Sequence, residues 1–402
     1  MKISLFVALI CFISVCKCFA QKEIKRLKCL GDSISYTKVL GDGDLLYNSF
    51  DDNGLQYIDS IKEGFIKPVF RIPVHIVTSS GTIIVVSEIK SSASTYRGVN
   101  LCVMCSRDNG KTFKKVLMCK GGYAGILYDK INEMIYVFKG LEYTKSVDDG
   151  VSWSTFQRMK LDYDNLKTDG YWTSICVSPN NGIQLKNGIL VVPCILQRGV
   201  GKDITRNSNA IIYSKDFGQS WIFSPPTPAN VIANEMTIAE YEDNQIMVNT
   251  RGGTEISWSR YNPGRRVFIS NKKTLSDVDK WCIDSWKLHD SDTVLKELVC
   301  NASFIKIEYK GRSIGLFCNP QSNDGKRKNL TLQISSDFNT WHKFAVLTPL
   351  NKEVYGYCSM SYINGKLSFV YEDIQYGILY ADLSYLLCDI LLALSLIHIS
   401  EP

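Results

Sequence analysis

An arginine in an apolar frame is the first residue of this chain with evident chemistry. Arg71 stands between Phe70 and Ile72-Pro73. A lone arginine in such a setting is ordinarily half of a structural ion pair. Downstream come three copies of a Ser-x-Asp-x-Gly-x-(Ser/Thr)-aromatic box and two further arginines in distinctive settings. In that company Arg71 reads as one jaw of a clamp for a carboxylate ligand. The planar guanidinium fork meets a carboxylate through paired, charge-assisted hydrogen bonds that a lysine ammonium does not reproduce.

Such a clamp needs rigid elements to hold it, and the sequence supplies strands. Runs rich in Val, Ile, Tyr and Phe occupy 74–77, 82–87, 101–105, 134–138, 189–196, 210–213, 246–249, 313–318, 330–334 and 367–371. Turns such as Asp108-Asn109-Gly110, Lys186-Asn187-Gly188 and Ile363-Asn364-Gly365 bound them. No long stretch carries an apolar stripe of period 3.6, so the expected class is all-β. The boxes lie at 106–113, 146–153 and 214–221, with a degraded copy at 335–341 that has lost a residue and its glycine. Each follows a strand-like run, as a hairpin turn does. Inside such a turn Asp accepts backbone and hydroxyl hydrogen bonds, Gly permits positive φ, and the aromatic packs beneath. Recurrence of one hairpin unit predicts a β-propeller with insertions between blades. The boxes are read as structural, with no catalytic role.

Composition sets the outer bounds. The chain has 402 residues, 45% hydrophobic and 21% charged, enough for one large domain. A net charge of +6 without a long Lys/Arg run excludes nucleic acid as an expected partner. Lys2, an apolar run from Ile3 to Cys16, and Cys18-Phe19-Ala20 read as a secretory signal cleaved before Gln21. Setting residues 1–20 apart leaves eleven of the fourteen cysteines. In an oxidising compartment several are expected to pair, the odd count leaving at least one thiol over. Four histidines and no recurring Cys-x-x-Cys spacing give no reason to expect a metal or cofactor. Sequons at Asn301 and Asn329 fit a secreted protein. The apolar stretch from Leu386 to Ile399 is interrupted by Asp389 and too short for a bilayer, so no integral membrane segment is expected after signal cleavage. Residues 394–402 read like a translated adapter, and 391–402 are set apart as a tail of doubtful origin; 21–390 are assigned to one propeller domain.

Taken in order, Phe70-Arg71-Ile72-Pro73, the Asp boxes, Gly182–Gly188, Asn234-Glu235, Asn249-Thr250-Arg251, Cys318-Asn319-Pro320, Arg327–Thr331 and Tyr371-Glu372 form a specific pattern. The chain resembles the sialidase (exo-α-neuraminidase) family, in its secreted and lysosomal animal or bacterial forms, over nearly the whole mature length. The resemblance implies a six-bladed propeller that binds sialylated glycans and takes part in ganglioside and oligosaccharide catabolism. It also implies that Arg71, Arg251 and Arg327 bind the carboxylate of sialic acid, with Arg312 a rival for the third place. Glu372 then corresponds to the acidic partner that orients Arg71. A carboxylate nucleophile would be repelled by the substrate's own carboxylate, and sialidases use a tyrosine instead. By resemblance that is Tyr357, with Tyr355 as the fallback. A phenol of ordinary pKa near 10 needs a base, and Glu235 is placed in that role.

One expected group is missing. The family's acid/base aspartate falls eleven residues before the first box serine, where this chain has Thr95, and the arginine expected nineteen residues after Arg71 is Lys90. Glu88 and Asp203 are the carboxylates considered as substitutes. The expected function is therefore a retaining exo-α-sialidase, secreted or lysosomal. A sialic-acid-binding pseudoenzyme is the alternative.

Overall fold

A computed structural model describes residues 27–41, 46–51, 54–58, 68–90, 99–167, 172–198, 206–228, 233–252, 265–271, 278–289, 295–296 and 298–400. The signal-like residues 1–20, Thr95 and Asp203 lie outside them. The described chain is all-β apart from a few short helical turns and one C-terminal helix. Six sheets form six blades of a propeller.

Blade 1 is an antiparallel meander of Val69–Val77, Ile83–Lys90, Asn100–Ser106 and Lys114–Lys120, and blade 2 repeats it from Ala124–Asp129 to Gln157–Arg158. The innermost strand of blade 3 is split into Ser174–Val177 and Ile183–Gln184, both paired with Leu190–Arg198. Blade 4 starts with Met236–Glu240, blade 5 with Ser303–Tyr309 and blade 6 with Cys358–Ile363. The innermost strands touch their neighbours around the ring, blade 6 meeting blade 1. Thr37–Leu40 closes the ring by pairing antiparallel to Gly377–Asp382 as the outer strand of blade 6. An early piece of chain thus staples a late blade, so neither edge of the ring is left open.

All four boxes sit between the third and fourth strands of their blades, in blades 1, 2, 3 and 5. In blade 3, Asp216 accepts from the Ser220 amide at 2.9 Å, the Ser220 hydroxyl at 2.6 Å and the Ser214 hydroxyl at 2.7 Å. Gly218 takes φ 83°, and Trp221 is buried at the end of the turn. The degraded copy keeps the aspartate's role: Asp337 accepts from the amides of Asn339 and Thr340.

The apolar cores lie between neighbouring blades and join residues of successive sheets. The channel itself is polar. Asn181, between the two halves of blade 3's innermost strand, donates to the carbonyls of His75 in blade 1 and Met360 in blade 6.

Three expectations are corrected. Among the described residues no disulfide joins any two of the eleven cysteines; six are buried and pack as small apolar side chains in blade strands and loops. Asn301 is buried, donating to the Pro179 carbonyl at 2.9 Å and accepting from Asn180, so it does not offer a glycan acceptor. The reading that no long stretch is helical missed one helix, Leu387–Ser400, whose Leu387, Ile390, Leu394 and Ile397 pack on the core between blades 5 and 6. Its remaining faces are also largely apolar, which hides the helical period. No described helix is long and apolar enough to cross a membrane.

Candidate active site

Every innermost strand runs the same way along the channel, so the residues at their N-terminal ends share one face. Arg71 lies near the start of blade 1's strand, Glu235 directly precedes Met236, and Tyr357 directly precedes Cys358. The boxes follow third strands and face the other way. Around that opposite mouth, a cavity of about 740 Å³ is lined by Lys130, Gln184, Glu240 and Glu308 and contains none of the predicted site residues.

The centre of the site is Tyr357. Its hydroxyl donates to the Glu235 carboxylate, 2.6 Å from Oε1 and 2.7 Å from Oε2. Arg251 Nη1 bridges the same pair, at 2.7 Å from Glu235 Oε2 and 3.2 Å from the Tyr357 hydroxyl. Backbone pairing fixes this geometry: the Arg251 amide donates to the Glu235 carbonyl at 2.8 Å, and Asn234 donates to the Arg251 carbonyl at 3.1 Å. Both residues therefore hang from the adjoining ends of two paired strands in blade 4.

Arg71 and Arg327 flank the same ring, with their guanidinium carbons 5.7 and 5.6 Å from its centroid. Arg71 is held by Glu372 through Nε at 2.8 Å and Nη2 at 3.2 Å. The same carboxylate accepts from the amides of Ile72 and Tyr357, at 2.8 and 2.9 Å. Ile72 has φ 55°, an unfavourable conformation for a β-branched residue, which the Glu372 bond helps to hold. Arg327 donates through Nη1 to the Tyr355 carbonyl at 2.8 Å and through Nη2 to the Val299 carbonyl. Gly356 makes this approach feasible: a Cβ there would lie 2.9 Å from Arg327 Cδ and 3.0 Å from Cys300 Sγ.

The electrostatics follow from burial. Desolvation, then the Glu235 charge, push the Tyr357 phenol well above its ordinary pKa, while Arg251 pulls the other way. For Arg71 and Arg251, burial disfavours the charge, but Glu372 and Glu235 respectively more than offset it and both stay cationic. Burial pushes the Cys300 thiol up to about 12, so this neighbour stays neutral. Three guanidiniums around a neutral phenol, itself bonded to a carboxylate, can bind an anion and release a phenolate when the carboxylate takes its proton.

The structure thus brings together Arg71, Arg251, Arg327, Glu235, Tyr357 and Glu372. Arg312 is elsewhere, exposed on blade 5 and bonded to Ser395. Tyr355 is at the site in a different capacity: its ring lies 4.4 Å from the Arg71 guanidinium and its carbonyl holds Arg327. Glu88 is buried, paired with Lys90 at 2.7 Å and accepting from the Tyr123 amide at 2.5 Å. Tyr123, at φ 55° ahead of blade 2's innermost strand, was not singled out from sequence; its phenol adds to the forces keeping Tyr357 protonated. Its one sequence signal is the preceding Gly121-Gly122. Among the described residues no cluster of His, Cys, Asp and Glu is arranged to hold a metal ion.

The chain is similar to known sialidases in sequence and in fold. The BNR repeat-like domain family matches residues 126–368. A sialidase of Bacteroides fragilis is 28% identical over 355 residues, spanning 75% of this chain and 60% of that protein. One from Clostridium perfringens is 23% identical over 351 residues, spanning 75% and 86%. Among solved structures, the Hadza microbial sialidase Hz136 has a TM-score of 0.63 at 23% identity, covering 79% of this chain and 66% of that one. A mutant of Trypanosoma rangeli sialidase displaying trans-sialidase activity has a TM-score of 0.67 at 18% identity, covering 92% and 62%. At these identities the structural likeness is one of fold. The chain spans about 60% of the length of the Bacteroides relative.

Proposed function

The chain belongs to the BNR repeat-like domain family, and from that premise we propose that it is a sialidase, specifically a retaining exo-α-sialidase acting on sialylated glycans. The observation that carries this reading is the Tyr357 hydroxyl, 2.6 and 2.7 Å from the two Glu235 oxygens, with three arginines around it.

Arg71, Arg251 and Arg327 would bind the carboxylate on the anomeric carbon of the sugar, bringing that carbon to Tyr357. Glu235 accepts the phenolic proton as the Tyr357 oxygen forms a bond to the anomeric carbon. The bond to the aglycone breaks, and its electron pair leaves on the aglycone oxygen, which takes up a proton from solvent. Water then attacks the tyrosyl intermediate from the vacated side, giving one proton to solvent and restoring Tyr357 with the proton held by Glu235. Two displacements retain the anomeric configuration. The neutral phenol avoids the repulsion that a carboxylate nucleophile would meet.

Two observations favour a second reading, a sialic-acid-binding pseudoenzyme. Thr95 stands where the family's acid/base aspartate is expected. Glu88, one substitute considered, is buried and tied to Lys90 and Tyr123. Loss of acid–base help typically costs on the order of 10²–10⁴ in rate.

The deciding experiment presents purified protein with an aryl sialoside and with sialyllactose. Turnover of both supports the enzyme and removes the pseudoenzyme reading. Turnover of the aryl substrate alone indicates that leaving-group protonation is missing. Binding without turnover of either overturns the enzyme reading. The signal-like residues 1–20 support delivery of a single propeller domain to the secretory pathway, for secretion or lysosomal residence; an expressed chain that keeps residues 1–20 and stays in the cytosol would refute this.

A further inference from the structure

Arg265 is wholly buried at the entry to blade 4's third strand, Arg266–Ser270. The register that pairs Thr250 with Arg266 sets it across from Arg251. Its Nε donates to the Asn249 side-chain oxygen, its Nη1 donates to the Cys300 carbonyl at 2.9 Å, and its guanidinium carbon lies 5.4 Å from the centre of the Phe317 ring. Asn249 is two residues before Arg251 on the strand that presents it. Arg265 therefore ties the strand bearing one site arginine to the turn at Val299-Cys300.

That turn is strained and lies against the site. Val299, a β-branched residue, has φ 53°, which such residues adopt only when their surroundings impose it. Two successive carbonyls of the turn are taken by two different guanidiniums, Val299 by Arg327 Nη2 and Cys300 by Arg265 Nη1. The Cys300 side chain packs with Ile72 and Tyr357. Whatever fixes this turn fixes one of the two carbonyls that aim Arg327 and part of the surface behind Tyr357.

We propose that Arg265 is a positioning residue for the anion clamp: it holds the Val299-Cys300 turn so that Arg327 presents its guanidinium to the ligand carboxylate. It touches no reacting atom. The proposal rests on reading the site as a carboxylate clamp, so its test separates the two.

The measurement is calorimetric binding of an unsaturated sialic acid analogue, as the free acid and as its uncharged carboxamide, to the wild type, Arg265→Lys and Arg265→Gln. Thermal melts identify folded variants. The readout is the ratio of the two dissociation constants, which reports recognition of the carboxylate rather than of the sugar. In the wild type the acid is expected to bind at least tenfold more tightly; a ratio near one there overturns the clamp reading itself. With that preference intact, Arg265→Lys and Arg265→Gln are expected to lower the ratio at least fivefold, Gln more than Lys. A ratio within twofold of wild type in either folded variant overturns the positioning role. Failure of both variants to fold assigns Arg265 to the core alone and overturns it as well.

Discussion

Glu372 binds Arg71 with both carboxylate oxygens, and the same two oxygens accept from the backbone amides of Ile72 and Tyr357. One buried carboxylate in blade 6 therefore sets the position of a clamp arginine in blade 1 and of the candidate nucleophile. Glu372→Gln replaces one accepting oxygen by an amide that points hydrogens at a donor and removes the charge opposite Arg71. Removing one partner of a buried ion pair typically costs about 3–5 kcal/mol, and displacing catalytic groups by an ångström costs roughly 10²-fold. The expected result is a lowered melting temperature with kcat/KM for an aryl sialoside down by about 10² or more. A variant that keeps both within error of wild type would show that the coupling is ornamental.

Tyr357 and Glu235 separate chemistry from recognition. Tyr357→Phe removes the oxygen but leaves the ring that Arg71 and Arg327 flank. Turnover is expected to fall by roughly 10⁴ or more, the scale seen when a nucleophile is deleted, while a sialic acid analogue still binds. Glu235→Gln is expected to lose about 10²–10⁴ in kcat, and to weaken the fold as well because Arg251 loses its buried carboxylate. Single-turnover kinetics with an aryl sialoside check both. Wild-type rates in Tyr357→Phe would remove Tyr357 from the mechanism.

How far these residues were legible depends on what positions them. Nine of the ten strand-like runs read from sequence became the second or third strands of blades, and only 74–77 lies in an innermost strand. The middle strands carry long apolar stretches such as Ile83–Val86 and Val191–Val192. Innermost strands interleave channel-facing polar residues, as in Thr237, Ser303, Ser359 and Ser361, and the alternation conceals them. Arg71, Glu235 and Tyr357 were readable because short motifs frame them. Tyr123, Val299 and Arg265 were not, because their importance lies in a backbone φ or in a carbonyl reached across blades. The closure by Thr37–Leu40 was hidden for a related reason: nothing local in an early strand announces that it pairs some 340 residues later.

His75 should make the fold acid-sensitive. It is fully buried, with Nδ1 at 3.0 Å from the Ser359 hydroxyl and Nε2 at 2.8 Å from the Ser368 hydroxyl. Burial lowers its pKa to about 3, against an ordinary value of 6.5. Its folded pKa is depressed, so the unfolded chain binds more protons between those values and stability falls as pH drops from 6.5 toward 3. The full effect is on the order of a few kcal/mol. His75→Gln removes this titration while keeping polar atoms for the serines. The variant's melting temperature is expected to fall less steeply than the wild type's between pH 6.5 and 4; parallel curves would show that another group governs the acid limb.

The boxes offer the converse test, because they lie on the face away from Tyr357. Asp216 anchors three hydrogen bonds within its turn, two of them from Ser220. Asp216→Ala leaves the Ser220 amide and the Ser214 hydroxyl without this acceptor, and a lost bond to a charged group costs about 1.5–3 kcal/mol. Trp221 and Tyr136, which meet edge to face beneath the turn, keep their contact, so the blade should loosen at its outer corner rather than collapse. The expected outcome is a melting temperature lower by several degrees with KM and kcat unchanged at a temperature where the variant is folded. If kcat fell while the melt stayed put, the box would be acting on the chemistry and its structural assignment would be wrong.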